Sequence, residues 1–153
     1  MTADITASVR AALIEELEQL RIEVRTIVDG LSDSELWRKP LDPGNPVGHL
    51  VLHLTGNLNH FVGAQLSNTG NVRDREREFT EANPPTREEL MTNLDRAVAT
   101  FRHVVDKLTA EQLISAHPEK RFGTVIKTLL HLVAHFALHR GQMSYIVRIV
   151  KPG

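Results

Sequence analysis

The sequence contains no cysteine. That absence excludes disulfides, thiolate-ligated metals and a cysteine nucleophile together, and it agrees with a reducing compartment. Charge of one sign is lacking too, since 18 Lys and Arg stand against 19 Asp and Glu. Nothing therefore points to nucleic acid or to an anionic membrane surface as a partner. Long apolar runs are missing: histidine or a charged residue interrupts each of them before the roughly 18 residues that a membrane span requires. The N-terminal stretch "MTADITASVRAALIEELEQL" is amphipathic and acidic, without the basic start and apolar core of a signal peptide. The resulting expectation is a cytoplasmic protein. Its 41% hydrophobic and 24% charged residues suit a globular chain, and 153 residues suit one domain over 1–153.

Alternation of apolar and polar residues is also absent, so no strand is expected. Periods of three and four are present instead. Ile5, Val9, Leu13, Leu17, Leu20, Val24 and Ile27 predict a helix over 4–29, with Gly30 as its stop signal. Ser32 with Glu35, Thr86 with Glu89 and Thr109 with Gln112 have the spacing of capping boxes. Pro46 suits the first turn of a second long helix running to about 67, and a third opens after Thr86. A last helix is expected over about 122–150, ending before Pro152. Between the second and third lies "SNTGNVRDREREFTEANPP", polar and without a period; a loop that long is usually mobile or functional. The fold class is all-α, a four-helix bundle with a long crossover between its second and third long helices.

Two short words recur in the same order. "VDGLSDSEL" at 28–36 parallels "VDKLTAEQL" at 105–113, and "HLVLH" at 49–53 parallels "HLVAH" at 131–135. Each half reads as a long helix, a short capped helix, then a long helix bearing histidines. Pseudo-two-fold helix pairs would bring the histidine-bearing helices into equivalent places.

Those helices carry six of the eight histidines: His49, His53 and His60 on one, His131, His135 and His139 on the other. An i, i+4, i+8 series stays on one helical face, so the imidazoles must find partners in the core or bind something. Histidines at i and i+4 can chelate one ion, and a third from a facing helix leaves open positions for water or substrate. Neutral imidazole suits zinc, nickel, iron or copper, and no carboxylate pair invites calcium or magnesium. Taken singly, His49, His60 and His131 fit equally well as hydrogen-bonded core residues, and whether they join a site stays open. His103, near a helix end, and His117, in a loop, are expected to be solvated. Glu-x-x-His pairs, His-Glu-x-x-His and Gly-x-Ser-x-Gly are all absent, which argues against di-iron, zinc-protease and serine-hydrolase chemistry.

The segment "HFALHRGQMSYI", with His135, His139, Arg140, Gly141 and Gln142 as His-x-x-x-His-Arg-Gly-Gln, resembles the DinB-like (YfiT-like) superfamily of metalloenzymes. "NPVGHLVLHL" is similar to the start of that family's second helix, and "RDREREF" resembles one branch of it. The resemblance implies a four-helix bundle, one divalent ion per chain and frequent homodimers. Zinc or nickel leads among the metals, with iron or manganese as further candidates. It implies His53, His135 and His139 as the metal ligands, with His49 a neighbour one turn from His53. The echo then sets Asn57 opposite His139, where it would face the site. Gly141 is expected to permit close helix approach, with Arg140 and Gln142 bonding to loop carbonyls. The family includes thiol S-transferases using mycothiol or bacillithiol, maleylpyruvate isomerases and metal-dependent hydrolases. The expected function is metal-dependent transfer or addition with a small-molecule substrate and a low-molecular-weight thiol, because the chain has no sulfur nucleophile of its own. Metal-dependent hydrolysis, or a metal- or ligand-binding bundle without turnover, are the alternatives.

Overall fold

The computed structural model describes residues 4–151; the stop expected at Pro152 lies outside them. Helix α1 (Ile5–Asp29) buries Leu13, Leu17, Leu20, Val24 and Val28, the three-and-four stripe that makes it amphipathic. The Asp4 carboxylate caps it by accepting from the Ala7 N–H at 3.2 Å. Ile5 leaves the stripe and is 75% exposed. The short helix α2 (Asp33–Leu36) opens with both reciprocal bonds of the Ser32–Glu35 capping box. Trp37 then closes over Gly48, where a Cβ would collide with the indole ring, so glycine lets this loop seat on the next helix.

Helix α3 (Val47–Leu58) starts just after Pro46, which takes the capping position rather than the first turn. The long second helix then changes character. Asn59–Ala64 is a π-helical segment, and one α turn, α4 (Gln65–Ser67), completes it before Asn68 turns left-handed at φ 52°. In the π segment the Gln65 N–H reaches the His60 carbonyl instead of that of Phe61. His117 Nε2 donates to the Phe61 oxygen at 2.9 Å, and the Glu119 N–H donates to His117 Nδ1 at 3.0 Å. His117 is therefore buried, only 2% exposed, and not solvated as its loop setting implied. Its ring supplies a buried carbonyl with the partner that the local helix does not.

The crossover contains a short helix without a period to announce it, α5 (Arg77–Thr80), packed on α3. Helix α6 (Arg87–Val105) and the short α7 (Ala110–Ile114) begin with the expected capping boxes at Thr86–Glu89 and Thr109–Gln112. A 3₁₀ turn, Lys120–Phe122, precedes α8 (Val125–Val150), which Thr124 caps. The helix starts later than its apolar pattern predicted because Gly123, at φ 84°, reverses the chain first. The isolated bridge between Ala116 and Thr124 is the only extended pairing among the described residues.

The long helices form a ring in which α1 packs on α8 and α6, and α3 packs on α6 and α8. The first helix of each half thus lies against the last helix of the other, and the two histidine-bearing helices occupy equivalent places, as the internal echo implied. One apolar core joins them, with Phe101 and Phe136 fully buried at its centre. Among the described residues no helix is long and apolar enough to cross a membrane.

Candidate metal centre

α3 and α8 are neighbours, so their histidine faces meet. His53 Nε2 lies 3.1 Å from His135 Nε2, and His139 Nε2 lies 3.0 Å from the same atom. One ligand nitrogen from each ring falls within 4.8 Å of the other two. The far nitrogens decide what the near ones can do. His53 Nδ1 is 3.0 Å from Glu78 Oε1, and an ionised carboxylate only accepts, so Nδ1 holds the proton and Nε2 presents a lone pair. His139 Nδ1 donates likewise to Gln142 Oε1 at 2.7 Å. Two lone pairs and the third ring therefore point at one space. Asn57 is there as well, its Nδ2 donating to His53 Nε2 at 3.2 Å and to the His53 carbonyl at 3.1 Å.

The electrostatics keep His135 and His139 neutral. Burial first, then nearby His139, His53, His131 and Arg73, push His135 from 6.5 down to about 3. Burial also lowers His139, against the opposing bond to Gln142. Glu78 shows the reverse balance: burial opposes its charge, yet Arg73 and His53 outweigh it and hold the carboxyl below its ordinary value. A divalent ion requires ring nitrogens with free lone pairs, and His53 and His139 are held with Nε2 turned to the space that His135 Nε2 shares, so the donor set fits one.

Glu78 and Arg73 lie in the "RDREREF" segment, but the sequence assigned neither of them to the site. Both come from the crossover. Arg73 grips the carboxylate with two bonds, Nε to Oε2 at 2.8 Å and Nη2 to Oε1 at 2.7 Å. Phe79, next along α5, lies against the His53 ring with centroids 4.8 Å apart. Gly56 completes the arrangement, because a Cβ there would occupy the place of the Glu78 carboxylate. A glycine on the histidine face of an apolar helix was the one available signal of that close approach.

The remaining histidines lie outside the three-nitrogen set, although His131 stacks on His135 with centroids 6.0 Å apart. His49 is half-buried with its ring edge-on to Trp37, and His60 is half-buried against Phe61. His60 shared a face with His53 by α-helical spacing, but it sits in the π segment. His131 is exposed beside Phe122, and His103 is exposed as expected. Three finer expectations are overturned. A Cβ on Gly141 would meet nothing, so that glycine permits no close helix contact. Gln142 bonds to His139 and not to a loop carbonyl. Arg140 instead meets Glu23 of α1 at 2.9 Å, a charge contact without hydrogen-bond alignment.

Comparison with known proteins places the chain in a family. No curated protein matches the sequence significantly. Among solved structures, YfiT from Bacillus subtilis is similar in fold, with a TM-score of 0.73 at 19% identity over 91% of this chain and 86% of that one. YfiT is described as a probable metal-dependent hydrolase with an unusual four-helix bundle topology. Residues 12–149 match the family described as mycothiol-S-transferase. That match spans α8 and its His-x-x-x-His-Arg-Gly-Gln run as well as α3 and the crossover, and the chain belongs to the mycothiol-S-transferase family.

Proposed function

We propose that the protein is a divalent-metal-dependent transferase that joins a small-molecule thiol to an electrophile, with His53, His135 and His139 holding the ion. The observation that carries this reading is the convergence of three ring nitrogens within 4.8 Å, two of them backed by Nδ1–H donation to Glu78 and Gln142. A divalent ion held there favours the deprotonated form of a bound thiol at neutral pH. Zinc and nickel suit three neutral imidazoles best, with iron or manganese as further candidates.

The chain's own residues divide the remaining work. Glu78 and Gln142 keep their histidines in one tautomer and orientation. Arg73 holds the Glu78 carboxylate charged and in place. Asn57 sets an amide N–H at the edge of the three-nitrogen set, and Phe79 shields His53 from water. In the overall change the thiol S–H bond breaks and a C–S bond forms. The electron pair displaced from the electrophile takes up negative charge, which the thiol proton neutralises. Positioning beside the electrophile is essential because a thiol of lowered pKa would also be a weaker nucleophile.

The test is attack of a small thiol on an epoxide, halide or activated alkene. Rate should saturate with thiol and fall to background in chelated protein and in His135→Ala. Hydrolysis is the second reading, favoured by the description given to YfiT. Ester or amide cleavage indifferent to thiol would move the assignment to it; inactivity in both assays would leave a binding bundle.

A homodimer in the cytoplasm completes the proposal. Leu138, Tyr145 and Ile149 form an exposed apolar stripe on the outer face of α8, at 59%, 71% and 46% exposure. Sedimentation should give twice the chain mass, and Tyr145→Glu should reduce it to one.

A further inference from the structure

A cleft of about 610 Å³ opens directly onto His53 and His135. Three arginines line it, Arg73, Arg75 and Arg121, and no carboxylate does. Arg73 is neutralised by Glu78 behind the wall. Arg75 has no carboxylate at ion-pair distance among the described residues, and Glu119 comes only to 3.6 Å from Arg121 Nε. The chain as a whole carries a formal net charge of −1, so this positive excess is local. Arg75, unpaired, and Arg121, paired only at that longer distance with no hydrogen bond, leave a positive excess in a concave wall that raises the local potential and that an anionic ligand relieves.

The guanidinium groups are also held, although both side chains are exposed. Arg121 lies over Phe122 at 4.7 Å and over Phe61 at 5.6 Å, and Arg75 lies over Phe79 at 5.6 Å. Stacking on aromatic faces limits their freedom and leaves their N–H forks free for a planar anion. Phe61 and Phe122 add an apolar wall to the same cleft.

We propose that Arg75 and Arg121 select a carboxylate-bearing substrate and hold its anionic end at the mouth of the cleft, with its apolar body on Phe61 and Phe122. This rests on reading the cleft as the substrate site of the proposed transferase. The carboxylate belongs either to the thiol or to the electrophile. In both cases the arginines set specificity, and the reacting end reaches toward the histidines.

The experiment measures binding by calorimetry with two acid–amide pairs of matched shape. N-acetylcysteine against its amide reports on the thiol, and cinnamate against cinnamamide reports on the electrophile. The acid of at least one pair should bind at least about tenfold more tightly than its amide, a preference that added salt weakens. Arg75→Gln with Arg121→Gln should erase it, and the pair that shows it identifies the source of the carboxylate. The preference should persist after chelation, because the arginines and not the ion carry it. Loss of thiol-dependent turnover with the acid preference intact would count against the transferase and not against the arginines. Equal or unmeasurable binding of acid and amide, a preference that survives both arginine substitutions, or one that vanishes on chelation would each overturn the proposal.

Discussion

The hydrogen bonds behind the histidines matter as much as the nitrogens in front. Glu78 fixes the His53 tautomer from a position 25 residues away in sequence, and Gly56 leaves the space for its carboxylate. Glu78→Gln should weaken divalent-ion affinity by about 10–100-fold in competition with a chelator. Gly56→Ala should cost a similar amount by expelling the same carboxylate, and the double variant should be little worse than either one. Additive losses would mean that the two residues act separately. Acid acts on the same rings. With His135 at about 3 in the fold against 6.5 ordinarily, the unfolded chain binds the extra proton between those values. Its contribution to stability is full above about 6.5 and declines as pH falls toward about 3; the lowered His139 has the same sign. Denaturation of chelated protein across that window should show a shallower pH dependence in His135→Leu than in the parent; equal slopes would contradict the account. His135 and His139 were visible in the sequence because helical spacing and the His-Arg-Gly-Gln run both mark them, and His53 through the likeness of its helix to the family's second helix. Glu78 was not, since a carboxylate in a charged segment looks solvated until a tertiary contact buries it.

At the scale of elements, the π segment and the crossover are where pattern reading ended. Capping boxes use neighbouring residues, so Ser32, Thr86 and Thr109 announced their helices correctly. A π segment has no comparable residue signature, and the bond that satisfies it comes from His117, distant in sequence. His117→Ala leaves the buried Phe61 carbonyl without that partner and should lower stability by about 1–3 kcal/mol in urea titration. An unchanged midpoint would show that water replaces the ring. The crossover combines exposed ends, such as Val72 at 92%, with the buried Glu78 at 7%. It is thus ordered where it meets the site. Because Glu78 backs a proposed ligand, ion binding and crossover closure are coupled. Trypsin should cut after Arg75 or Arg77 faster in chelated than in loaded protein, while α1, α3, α6 and α8 stay intact. Equal cleavage rates would separate the crossover from the ion.

For the whole molecule, the two halves meet so that α3 and α8 pack side by side, and this places His53 opposite His135. The repeated words made that pairing legible; the open space beside Gly141 was not, because glycine alone does not distinguish close packing from open space. Each fully buried leucine in the common core stabilises the fold by about 1.5–3 kcal/mol, so the bundle should persist without an ion. Circular dichroism after chelation should therefore retain the helical signal, and its collapse would make the ion structural. The most direct test of the account is elemental analysis of protein purified without chelators, for the parent and for His53→Ala, His135→Ala and His139→Ala. The account predicts about one divalent ion per chain in the parent and in a His103→Ala control, and little or none in the three variants. Full loading of the His139→Ala protein, or an empty parent under metal-replete growth, would contradict it.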